Sequence, residues 1–100
     1  MPENFENEMK ELSDKLKKAD GYLACEQVVL QNIKKYFDVD AVDNDVDIEQ
    51  YIKKLSDHIE DRITANQDKY NCTNYRYAAG FLNILLRTPC RMNWIKTIET

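Results

Sequence analysis

The chain has 100 residues, 43% of them hydrophobic and 32% charged, enough for one small domain with an adequate core. Two glycines and two prolines supply little of the turn chemistry an all-β fold needs, so the composition predicts helix from end to end. A formal charge of −4 argues against a general nucleic-acid or membrane-surface binder, and no run approaches the ~18 apolar residues that span a bilayer.

The opening MPENFENEMK is acidic and lacks an apolar centre, which predicts no signal peptide and a cytoplasmic protein. Residues 3–37 then carry a heptad-like stripe: Phe5, Met9, Leu12, Leu16, Ala19, Leu23, Glu26, Leu30, Ile33 and Phe37 alternate spacings of four and three. Glu6–Lys10, Glu11–Lys15 and Asp14–Lys18 are acid-first i,i+4 pairs that favour helix. Gly21 is costly inside a helix, and Asp20 is suited to cap a new one. The stretch therefore reads either as one long helix or as two meeting at Asp20-Gly21. Residues 3–19 have a narrow apolar seam with charged flanks, which suits a solvated helix lying on its own core or a contact with a second chain. Residues 22–37 are apolar nearly all round and belong inside the domain.

Residues 38–46 form an acidic linker within a segment, Asp38 to Glu49, that holds six acids and no base. The Asp43, Asp45, Asp47 spacing invites a calcium reading. Ile48 stands where the loop turn needs glycine, and Lys54 where a bidentate glutamate belongs, so calcium is not expected. Asp47 as N-cap with Gln50 behind it, and Val46 stapled to Tyr51, predict a helix over 47–66. Its inner stripe is Ile48, Ile52, Leu55, Ile59 and Ile63, and His58 falls on the charged side.

After a polar turn comes the densest apolar run, and the rest of the chain is expected to pack around it. Thr73 is read as the N-cap of a helix over 73–88, with Tyr75, Ala78, Ala79, Leu82, Leu85 and Leu86 inward and Phe81 and Ile84 widening that face. Arg76, Asn83 and Arg87 line the opposite side. Ala78-Ala79-Gly80 reads as a notch of small residues that residues 22–37 would cross. Thr88-Pro89 suits a new start, giving a short helix over 89–98 with Cys90, Trp94, Ile95 and Ile98 inward. The expected architecture is thus all-α: a small bundle with a heptad-patterned N-terminal helix, an acidic linker, a helical hairpin and a short terminal helix.

Chemistry-bearing motifs are scarce, so no enzyme activity and no cofactor are expected. Cys25, Cys72 and Cys90 show no CxxC pairing and read as free, mostly buried thiols, which with one histidine gives no metal site. No glycine-rich phosphate loop exists, and His58 has no nucleophile within a recognisable signature. Tyr70, Tyr75, Arg76, Tyr77, Arg87, Arg91 and Lys96 could stack on single-stranded nucleic acid, but the surplus is only three positive charges over residues 71–100. An acidic DNA mimic built on Asp38–Glu49 is the opposite possibility, its acids concentrated in one short segment.

Tyr75-Arg76-Tyr77-Ala78-Ala79-Gly80-Phe81-Leu82, preceded by a helix and a turn holding Tyr70, resembles the Y-R-x-x-x-G-hydrophobic-hydrophobic hairpin of small orphan helical proteins encoded by tailed bacteriophages. The likeness spans residues 70–86, and this chain has Thr88-Pro89 where such proteins continue with a charged helix. It implies a short virus-encoded protein that binds a host protein or defence complex, with a virion head-neck component as the alternative. The surfaces read as partner-binding are the seam Phe5, Met9, Leu12, Leu16, which would also allow a homo-oligomer, the acids Asp43 and Asp45, and the face Arg76, Gly80, Arg87.

Overall fold

The structure, a computed structural model, describes residues 5–36, 45–66 and 72–97. Among them every regular element is an α-helix. Gly21, at φ +89, cuts the N-terminal pattern in two. That backbone conformation is open to glycine and strained for residues with a Cβ, so the chain turns there. The helix α1 (Phe5–Lys18) closes with the Ala19 amide donating to Leu16 O, and α2 (Tyr22–Tyr36) opens with the Cys25 amide donating to Gly21 O. Gly21, not Asp20, is thus the residue from which α2 starts.

The stripe survives the turn only in part. α2 buries Cys25, Val29, Leu30 and Ile33, while the heptad position Leu23 is 74% exposed and Glu26 is half-buried. Leu30 and Ile33 keep the stripe inside the core, and the turn at Gly21 leaves only its first two positions in α2 outside it.

α1 keeps the stripe and spends it inside the molecule. Met9, Leu12 and Leu16 are at most 2% exposed and join the core, with Phe5 packed against it from the side. The seam read as a contact for a second chain is therefore core surface, and it is not available for a homo-oligomer. Of the three i,i+4 pairs in α1, Glu11–Lys15 forms at 3.3 Å, and Glu11 also reaches Lys35 on α2.

α3 (Asp45–Asn66) begins two residues before the expected N-cap, so Asp47 lies inside it, and Val46 is 57% exposed. Acids in the first turn, Asp45 and Asp47, suit the positive end of the helix dipole. Ile48, Tyr51, Ile52, Leu55 and Ile59 are buried, and Ile63 packs at the edge. The acidic linker thereby loses residues 45 and 46 to α3, and the remainder of it, with Asp43, lies outside the described residues.

α4 (Thr73–Arg87) packs on α1, α2 and α3, which makes it the element the others are arranged around. Its N-cap is Cys72 rather than Thr73. It buries Tyr75, Ala78, Ala79, Phe81, Leu82 and Leu85, whereas Ile84 stays 45% exposed. α5 (Arg91–Thr97) starts later than Thr88-Pro89 suggests. Thr88 instead closes α4, its hydroxyl donating to Ile84 O at 2.6 Å. Cys90, at φ +53, then supplies the carbonyl that accepts from the Asn93 and Trp94 amides. Cys90 is consequently exposed and not on the inner face, while Ile95 is buried and Trp94 sets its ring edge against Phe81.

Candidate interaction surface

Two sets of polar contacts hold the helices in place, and both centre on helix ends. Asn74, in the first turn of α4, donates to Leu16 O at 2.8 Å and to Ala19 O at 2.9 Å, satisfying carbonyls that end α1. Arg91 does the same for α4: its Nη1 donates to Leu85 O and Leu86 O. Its Nε and Nη2 grip the Asp45 carboxylate at 3.0 and 2.6 Å, and Nη2 also reaches Glu49 at 2.8 Å. All five guanidinium hydrogens thereby have acceptors, as a side chain only 8% exposed requires. This clasp joins the end of α4 to the start of α3 and makes the two antiparallel. Glu49 is held below the usual carboxylate range, by Lys53 first and by Arg91 next.

The clasp accounts for Asp45 and Arg91. Asp45 is answered within the chain, and Arg91 is withdrawn from any basic cluster. Tyr75 is buried too, so the stacking set imagined for single-stranded nucleic acid is dispersed. The Tyr51 phenol and the Cys25 thiol are both held in their neutral forms. Tyr51 accepts a hydrogen bond from Asn32 at 2.8 Å, and burial pushes its phenol up to about 12, so it stays protonated. Burial likewise raises the Cys25 thiol, which removes its nucleophilic form. Among the described residues no group of three or more His, Cys, Asp or Glu side chains is placed to hold a metal ion. None of the described helices is long and apolar enough to cross a membrane.

The remaining sequence-predicted positions do come together. At 3.6 residues per turn, Arg76, Asn83 and Arg87 form one edge of the outer face of α4, Tyr77 and Ile84 the other, with Gly80 between them. All six are exposed. A Cβ added at Gly80 would meet nothing within 4 Å. The notch is therefore open, and α2 does not cross it. Tyr22 of α2 sets its ring edge-on to Tyr77 at 5.5 Å, and exposed Leu23 follows it, so the apolar edge extends toward α2. The Arg76 side chain has no hydrogen bond or ion pair among the described residues, and the Arg87 guanidinium bonds only the carbonyl of Asn83, at 3.3 Å.

His58 departs from its expected solvated place. It is half-buried beneath α1, its ring edge-on to Phe5 at 6.5 Å, and burial with the nearby Arg62 charge lowers its pKa. Asn74 and Arg91 are the structural residues that sequence reasoning passed over. Arg91 did leave a trace, a charge in register with Ile95 and Ile98 on an apolar stripe, while the acids of 45–49 lacked a local base. Asn74 left none, because its acceptors lie 55 and 58 residues away.

No protein-family model matches the chain, no curated protein is significantly similar to it, and no solved structure significantly matches its fold.

Proposed function

We propose that the chain is a non-enzymatic protein-binding module that offers the outer face of α4 to a helix of another protein. The observation that carries this reading is Gly80. Glycine inside a helix costs about 1 kcal/mol against alanine, and nothing in the described fold touches the space its missing methyl leaves. An open notch between an apolar edge and an arginine edge lets a partner backbone approach closely. Tyr77 and Ile84 supply apolar contact, and Arg76 and Arg87 select a partner bearing carboxylates. The resemblance of residues 70–86 to phage orphan proteins supports a phage-encoded accessory protein that binds and inhibits or redirects a host protein or defence complex.

The test is affinity capture from host lysate with the wild type, Gly80→Leu, Ile84→Glu and a remote control, Lys53→Glu, each checked for helix content by circular dichroism. A partner retained by the wild type and the control, and lost by both α4 variants, supports the reading. Retention by all four removes α4 as the contact. Recovery of the protein in purified particles, with no host partner, assigns it instead to virion assembly.

A further inference from the structure

A groove of about 420 Å³ runs between α1 and α3, on a different part of the surface from the outer face of α4. Its lining is charged. Lys10 and Lys17 come from α1 and Arg62 from α3, with the acids Glu6 and Asp14 beside them. Opposite charges are thus gathered in one depression, yet no ion pair joins any of these five among the described residues. Glu11 and Lys15, also on α1, do pair. Long side chains held apart in this way leave their donors free for something else.

The inner part of the groove carries the same message. Ser13 is 5% exposed and lines it. The Arg62 Nε is buried and has no acceptor. A buried donor without an acceptor costs free energy, so such groups mark places where an acceptor belongs. Arg62, Ser13, Lys10 and Lys17 together are a donor set with net positive charge. Its complement is a compact oxyanion with several acceptor oxygens, which arginine and lysine bind through charge-assisted bonds. The volume falls within the range of small-molecule sites and leaves space for an organic body. Glu6 and Asp14 would repel a second anionic group but accept hydrogen bonds from hydroxyls.

We propose that this groove binds a small phosphorylated polyol, with Arg62, Ser13, Lys10 and Lys17 donating to the phosphate and Glu6 and Asp14 accepting from the hydroxyls. The flanking acids disfavour a polyanionic chain, so nucleic acid is not the ligand. His58, which also lines the groove, is a built-in reporter. Arg62 holds its pKa down while Glu6 and Asp61 act to raise it. An oxyanion seated on Arg62 offsets the guanidinium charge, so the His58 titration midpoint must move up on binding.

The experiment is a titration of the 15N-labelled protein followed by amide shifts, with glucose 6-phosphate, inorganic phosphate, glucose, sodium chloride at matched ionic strength, and a single-stranded oligonucleotide. The expected result is saturable shifts clustered on α1 and α3 with glucose 6-phosphate, weaker ones with inorganic phosphate, and an upward-moving His58 midpoint. Lys10→Gln and Lys17→Gln, at exposed positions that the fold does not need, should each weaken binding about tenfold. Arg62→Gln should weaken it further. Shifts no larger than those of sodium chloride, or unaffected by the lysine variants, overturn the proposal. So does equal affinity for inorganic phosphate or for glucose alone, which leaves Glu6 and Asp14, or the cations, without a role. Tighter binding of the oligonucleotide overturns it as well.

Discussion

Arg91→Met is the most informative single change, because it keeps much of the side chain's apolar length and removes every donor of the clasp. Deleting one side of a buried ion pair costs about 3–5 kcal/mol when the other charge is left stranded. Here the partners are not fully stranded, since the side chains of Asp45 and Glu49 are 48% and 37% exposed and can rehydrate. The carbonyls of Leu85 and Leu86 also lose their donor, one of those bonds being buried. The expected cost is the low end of the range, about 3 kcal/mol. In a domain of this size each kcal/mol shifts Tm by about 4–8 °C, so the midpoint should fall by roughly 12–24 °C. Denaturant unfolding followed by circular dichroism gives the free energy directly. Arg91→Lys should fall between wild type and Arg91→Met, because it keeps the charge and lacks the fork. A double-mutant cycle with Asp45→Asn should show a coupling of at least about 1 kcal/mol. A loss under about 1 kcal/mol for Arg91→Met, with the slope unchanged, would refute the assignment of Arg91 as the clasp.

Three further outcomes are expected. Gly80→Ala should raise stability by about 0.5–1 kcal/mol, since the added methyl meets open space; a lower melting temperature would mean that something fills the notch. Leu16→Ala should cost about 2–5 kcal/mol with no change in oligomer mass by light scattering, because Leu16 is fully buried within its own chain; a small cost together with a loss of mass would restore the seam as a contact between copies. For His58, the only histidine, the folded-state pKa lies below the ordinary 6.5, so the unfolded chain takes up the proton first. The stability it contributes is complete above 6.5 and is lost as pH falls through the folded value. His58→Gln should flatten that part of a stability-against-pH curve, and an unaltered slope would rule the group out.

The all-helical class was legible because periodicity is a local property. Spacing alone gives most of the inner stripes of α3 and α4 and the exposed face that unites Arg76, Asn83 and Arg87, but it leaves out the buried Tyr51 and puts Ile84, which is exposed, on the inner side. Helix ends were less legible. Thr73, Thr88 and Asp47 all have the chemistry of an N-cap, yet Cys72 and Cys90 hold two of those places, and α3 starts at Asp45. Cap preference amounts to about 1 kcal/mol and yields to whatever the packing needs. The heptad stripe misled for a related reason: periodicity says which residues share a face, and it says nothing of which surface covers that face. Leu12 and Leu16 look the same on paper whether α4 or another chain lies over them. The contacts of Asn74, and those of Arg91 with Asp45 and Glu49, were out of reach because they join residues more than forty positions apart.

The exchange of caps between helices has a bearing on how the molecule opens. In most helical proteins the terminal turns fray singly, and amide protection declines toward each end. Here the last turn of α1 is held by α4, and the last turn of α4 is held by α5 through an arginine that also grips the first turn of α3. Loosening any one of these ends uncovers a polar group belonging to another helix, so the small-scale openings that normally come first are discouraged. The seven-residue α5, too short to be stable by itself, then acts as the closure of the whole assembly. A chain cut after Arg87 would lose far more than the surface that α5 covers. Between fully folded and fully unfolded there is little room for a partly open form.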